Sequence, residues 1–207
     1  CSSDLGFTAP ETTASPSPGL AYGDDAPCPI CGKAGGHPIP ANRPPSGKTK
    51  RANSQSKAEV AYRNSPSDRE GRGYMVGVMI AENASGQRVT LRATSGTAPA
   101  GFMSIPTPQP QLVGQDMRSV GGRRLRFRDS KKDSKRPGNC AAPKLIQAAL
   151  SMGLKPLAMT EFWRGPTAGP YSDGNHAASC STCKRILPAL LCPEPPKGDP
   201  DYVYVIE

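Results

Sequence analysis

Five of the seven cysteines stand where sulfur chemistry is easiest to explain. Cys180-Ser181-Thr182-Cys183 has the Cys-x-x-Cys spacing, and Cys140 lies forty positions earlier in Asn139-Cys140-Ala141-Ala142-Pro143-Lys144. Cys28-Pro29-Ile30-Cys31-Gly32-Lys33 is a second pair at that spacing, with His37 six residues on. Three protein ligands leave a zinc ion one position for water, whereas four close its shell. Cys140, Cys180 and Cys183 are therefore candidates for a catalytic zinc site. Cys28, Cys31 and His37 are candidates for a second, structural zinc, whose fourth ligand would come from Cys192, His176 or Cys1. Two Cys-x-x-Cys pairs among seven cysteines suit metal binding better than a disulfide framework.

Periodic apolar runs would position these sulfurs. Leu145, Ile146, Ala149 and Leu150 follow Cys140 at helical spacing, and Ile186, Leu187, Leu190 and Leu191 follow Cys183. Pro143 fits a first turn, where its missing amide hydrogen costs nothing, and Gly153 ends that helix. Pro188 is expected to shorten or kink the second helix. Lys155 to Trp163 reads as a strand between them, so helix, strand and helix would gather three sulfurs at one end of a parallel layer. That strand delivers Thr160, Glu161, Phe162 and Trp163 at its C-terminal end, where ligands bind in open α/β sheets. Trp163, the single tryptophan, is a candidate to stack on an extruded base, worth roughly 1–3 kcal/mol, with core packing as the alternative.

Upstream, Tyr74 to Glu82 and Gln87 to Thr94 form a hairpin across Asn83-Ala84-Ser85-Gly86, and Tyr202 to Ile206 is a last strand entering beside the others. Residues 1–26 read as a Ser/Thr/Pro/Gly linker and 41–56 as a solvated basic connector, followed by a short helix over 55–63. Ser46-Gly47-Lys48-Thr49 lacks the upstream glycine of a phosphate-binding loop. Residues 95–120 read as a long loop near the site mouth. The chain starts without Met and is expected to be an excised fragment.

With 26 Lys and Arg against 17 Asp and Glu, the charge of +9 points to a polyanionic partner, foremost nucleic acid. Eight basic residues against two acidic ones crowd Arg123 to Arg136, just before Cys140. Arg124, Arg126 and Arg128 alternate with Leu125 and Phe127, as on an edge strand that shows arginines to phosphates. The alternative is a solvated charge run. No apolar run approaches the roughly 18 residues of a membrane helix, so no membrane partner is expected.

The constellation Cys140-x-Ala142 followed by Cys180-x-x-Cys183 resembles the zinc-dependent cytidine-deaminase-like superfamily, whose pattern is His or Cys, any residue, Glu, then Pro-Cys-x-x-Cys. Ser179 stands where Pro is usual, and Ala142 stands where the family has its proton-carrying Glu. The resemblance implies an α/β protein with a three-layer α-β-α fold and a mixed sheet of four to five strands. It covers roughly 57–207, leaving 1–56 as linker and knuckle. It implies zinc held by Cys140, Cys180 and Cys183, with Trp163, Arg124, Arg126, Arg128 and His176 toward the substrate. Within the superfamily the chain looks most like the C-terminal deaminase domains of bacterial polymorphic toxins. These are secreted or delivered into a target cell, act in its cytoplasm, and are neutralised by a cognate immunity protein. The implied reaction is hydrolytic deamination of cytosine in nucleic acid, with single-stranded DNA favoured over RNA or duplex DNA. Because a methyl group carries no proton, the chain is expected to bind zinc without turnover, as an engineered Glu→Ala form or a natural pseudoenzyme. A free nucleoside or nucleotide deaminase, and a non-enzymatic zinc module binding nucleic acid or protein, are the alternatives.

Overall fold

A computed structural model describes residues 27–34, 37, 71, 73–99, 102, 116–133, 135–175, 179–199 and 201–207. The linker over 1–26, the connector and helix over 41–63, Cys1, His176 and most of the 95–120 stretch lie outside the described residues.

Strand β1, Tyr74–Glu82, is apolar or glycine at every position but its last, a pattern that only a strand covered on both faces can satisfy. It is accordingly the middle strand of a three-stranded sheet, between β2 (Arg88–Thr94) and β5 (Lys155–Arg164). Both partners run antiparallel to it, so the parallel layer expected around the sulfurs is not formed. The hairpin turn is held by Asn83, whose side-chain oxygen accepts from the amides of Ser85 (3.1 Å) and Gln87 (2.8 Å).

Alternation sorts the side chains of β1 and β5. Tyr74, Val76, Val78 and Phe162 pack on one face with Phe102. Met75, Met79, Met159 and Trp163 join the main core on the other, where the helices lie. Helix α1, Ala141–Ser151, lies on this face against all three strands. Helix α2, Ser181–Leu190, packs on α1 and continues through Pro188, with the amide of Leu191 still bonded to the carbonyl of Leu187 at 2.9 Å.

The remaining strands form a second sheet rather than extending the first. Its order is β3 (Asp116–Arg118), β4 (Arg124–Phe127) and β6 (Val203–Ile206), antiparallel then parallel. Four expectations change here. The α/β class holds, but among the described residues there are two sheets of three strands in place of one of four to five. Residues 116–118, read as loop, are a strand whose backbone is also gripped by the side chain of Gln147 on α1 (2.7 and 2.8 Å). The arginine-bearing β4 is the middle strand of its sheet rather than an edge, with Leu125 and Phe127 fully buried on one face. The closing strand pairs with β4, not with β1 or β5.

Gly77 is the one interior glycine of β1, and it is there for space. A Cβ added to it would fall 2.9 Å from both Ala141 Cβ and Leu145 Cδ1. Gly77→Ala is expected to lower stability by about 1–3 kcal/mol, the usual cost of overpacking, read from the denaturant midpoint. An unchanged midpoint would mean that α1 does not lie this close to the sheet.

Candidate metal centre

The two helices begin at the same place. Cys140 is the N-cap of α1 and Cys180 the N-cap of α2; both have extended backbones, and neither side chain caps its own helix. Their sulfurs turn toward each other instead and lie 3.3 Å apart. Cys183, one turn into α2, brings its sulfur back to the same spot, so that all three donor atoms lie within 4.8 Å of one another. Sulfurs on a tetrahedral zinc with bonds of about 2.3 Å stand roughly 3.8 Å apart, so the spacing suits that ion. Neither helix has an acidic residue in its first turn, which leaves the positive ends of both dipoles to the thiols.

Crowding acts in the opposite sense. The hydrogen bond with Cys180 pushes Cys140 well above the ordinary thiol value, and burial adds to the effect. Bonds to Cys140 and then Cys180, together with burial, push Cys183 up as well. A metal cation must therefore displace protons on entering. Zinc uptake at pH 7 is expected to release protons, with affinity rising as pH rises; calorimetry in buffers of different ionisation enthalpy reads the number released. For the metal-free protein the sign reverses. A pKa raised on folding leaves stability intact below the ordinary thiol value of 9.0 and erodes it as pH climbs above.

The second group is Cys28, Cys31, His37 and Cys192, again with all donor atoms within 4.8 Å. The amide of Gly32 bonds back to the carbonyl of Cys28 at 2.8 Å, and Gly32 adopts a φ of 73°, the left-handed conformation that closes a knuckle. Cys31 Sγ lies 3.1 Å from His37 Nε2. Burial lowers the pKa of His37, favouring the neutral imidazole that metals bind, and burial pushes Cys192 up to about 12. Of the three fourth ligands considered from sequence, Cys192 is the described one, and it is in place. It follows α2 directly, so this helix carries three-donor chemistry at its start and a four-donor clamp at its end, about 15 Å away at 1.5 Å per residue. All six described cysteines are free thiols.

The other expected site residues are placed as follows. Ala142 is fully buried in the core. Trp163 is 9% exposed, bonded through Nε1 to the carbonyl of Pro166 (2.8 Å) and stacked on Tyr171 at 5.1 Å between ring centroids, which is the core alternative. Arg124, Arg126 and Arg128 each meet a carboxylate, at 3.4, 2.6 and 3.0 Å, on Asp201, Asp116 and Glu207. The basic loop after β4 does reach the site's rim. Lys135 exchanges two backbone hydrogen bonds with the Thr182 hydroxyl (3.0 and 2.7 Å), and Asp133 holds Arg185 of α2 in a bidentate pair.

Two further residues lie near the thiols: Tyr171, which does not stand out in sequence, and Glu161, which the sequence offers as a substitute acid but on a different element from position 142, the one the family uses. The tyrosine beside Trp163, Tyr171, has its pKa raised to about 12, by burial first and then by the charges of Cys180, Cys140 and Cys183. Glu161 is 3% exposed, and its Oε1 accepts the backbone amide of Ala142 at 3.0 Å. A carboxylate on the helix-facing side of an apolar strand was the available signal.

Fold and donor sets together define an α/β protein with, among the described residues, one four-donor Cys/His group and one three-donor Cys group, each able to hold a metal ion and consistent with zinc. No family model, no curated protein and no solved structure matches the chain.

Proposed function

We propose that the chain is a zinc-dependent hydrolytic deaminase acting on cytosine in nucleic acid, with single-stranded DNA the favoured substrate, and that it serves as a toxin domain paired with an immunity protein. The observation that carries this is the contrast between its two donor groups. One has four donors and suits a structural ion; the other has three, at the meeting of two helix starts, with no fourth protein donor grouped there among the described residues. Three ligands and an open position are what hydrolytic chemistry requires. A zinc ion there would supply Lewis acidity, bringing the pKa of water toward neutrality. Cys140, Cys180 and Cys183 would hold it, and the Trp163–Tyr171 stack would wall the site on one side.

A nucleic-acid substrate is supported by the basic loop tied to α2. The ion pairs of Arg124, Arg126 and Arg128 are exposed, and exposed pairs contribute only about 0–1 kcal/mol, so exchanging a carboxylate for a phosphate costs little. Activity on single strands is expected to fall steeply with salt, with a log–log slope of about −0.7 per phosphate contacted. A free-nucleoside deaminase would show almost no such slope. The non-enzymatic alternative draws on Ala142, whose buried methyl can carry no proton.

The decisive experiment incubates the zinc-loaded protein, and its Ala142→Glu variant, with single-stranded DNA, duplex DNA, RNA and free cytidine. Conversion of cytosine to uracil by either protein supports the deaminase reading, and preference for a polymer supports the substrate class. No conversion by either overturns it in favour of a binding module.

A further inference from the structure

The geometry points to Glu161 as the residue that moves protons at the three-thiol centre, in place of an acid at position 142; this rests on the deaminase reading above. Glu161 lies on β5 on the same face as Met159 and Trp163, the face that packs against the helices. A carboxylate buried among such neighbours is costly unless it is held by donors or by a cation. Its Oε1 takes the amide of Ala142, in the first turn of α1, at 3.0 Å, where the helix dipole favours negative charge. The carboxylate thus reaches the backbone of the same residue whose side chain lacks the expected acid.

The neighbouring strand sets this side chain toward α1. Gly77 pairs with Glu161 across the sheet, and a Cβ on Gly77 would sit 3.6 Å from Glu161 Cγ as well as against Ala141 and Leu145. The Ala142 amide that Glu161 accepts belongs to the residue two positions after Cys140, the N-cap of the same helix. Yet no carboxylate belongs to the group of three donor atoms within 4.8 Å of one another. A carboxylate next to the ligands but outside their set is where a proton carrier belongs, rather than a fourth ligand that would close the centre. Ala142 is then no lesion: its small side chain lets the helix start approach β5 closely enough for Glu161 to take over.

The reaction balances with Glu161 as the only carrier. Water adds its oxygen to C4 of cytosine while Glu161 takes one proton and passes it to ring N3. Glu161 then takes the remaining hydroxyl proton and passes it to the C4 amine. The C4–N bond breaks, ammonia leaves, and the oxygen stays as the C4 carbonyl of uracil. No electron acceptor or donor is needed.

A purely structural Glu161 would hold α1 through bonds such as that to the Ala142 amide, and Glu161→Gln separates the two roles because its side-chain oxygen can still accept that bond. The native protein is expected to deaminate with Ala142 in place. Glu161→Gln should keep its zinc content and melting temperature while losing at least about 10²-fold in rate, the usual share of a positioned acid–base group. It should also lose at least tenfold in calorimetric affinity for a hydrated pyrimidine nucleoside with a tetrahedral hydroxyl-bearing C4 and a protonated N3. Should Glu161→Gln fail to load zinc, Glu161→Asp replaces it, with slowed turnover at full zinc content expected. Native rate and native affinity in the variant that loads zinc would overturn the inference. So would an inactive native protein beside an active Ala142→Glu variant, which leaves the deaminase reading standing. Zinc-loaded native and Ala142→Glu proteins that are both inert on every substrate would instead sink the deaminase reading, and this inference with it.

Discussion

Cys192→Ser is expected to strip one zinc ion from the protein and to remove most of its stability. Cys192 is fully buried and is the only donor of its group that lies after α2 in the chain; Cys28, Cys31 and His37 all come from the knuckle. Without it, a three-residue set on a short turn loses its hold on the main domain. Structural zinc contributes apparent free energies of about 10–16 kcal/mol in small zinc modules. Whole domains are stable by only about 5–15 kcal/mol, so losing even part of that contribution is large. Metal analysis should find one zinc per chain in place of two, and denaturant melts should show a midpoint shifted by several kcal/mol or no folded baseline. A variant with two zinc ions and a native melt would show that the four donors do not share an ion.

Cys183→Ser is expected to act on the other ion and on another readout. Its sulfur is the third donor of the open group, and only Cys140 and Cys180 would remain. A zinc ion lends several kcal/mol of stabilisation to developing charge, and each ~1.4 kcal/mol is tenfold in rate, so turnover should fall by at least about 10³-fold. The four-donor ion should stay, because it sits at the opposite end of α2. Controlled chelation should follow the same order, with three-ligand zinc leaving first and activity lost before stability. Loss of activity and stability together would mean that the two centres are not independent.

Glu161 shows where reading the chain ran out. Glu161 was visible as an acidic residue at a strand end, but it lies 19 positions from Ala142 on a different element. Only the antiparallel register that sets it opposite Gly77, and the bond it accepts from the Ala142 amide, show that its side chain turns toward α1. Similarly, the alternation of Arg124, Leu125, Arg126 and Phe127 announced a strand with one apolar face. It carried no information on which strands would flank it, because pairing of β4 with β6 joins segments more than seventy residues apart.

By itself the sequence determined the local elements and the donor sets. Cys-x-x-Cys spacing, a first-turn proline and helical periodicity are short-range physics, fixed by geometry within a few residues, and they located both helices, the hairpin, β5 and most of the candidate donor cysteines. Tertiary structure decided what depends on distant segments meeting: that the core splits into two three-stranded sheets, that Cys192 completes the knuckle, that Trp163 is walled in by Tyr171, and that a carboxylate from β5 arrives where α1 has only a methyl. Those outcomes rest on close packing between surfaces far apart in the chain, where an ångström of space such as that over Gly77 decides which side chain can enter.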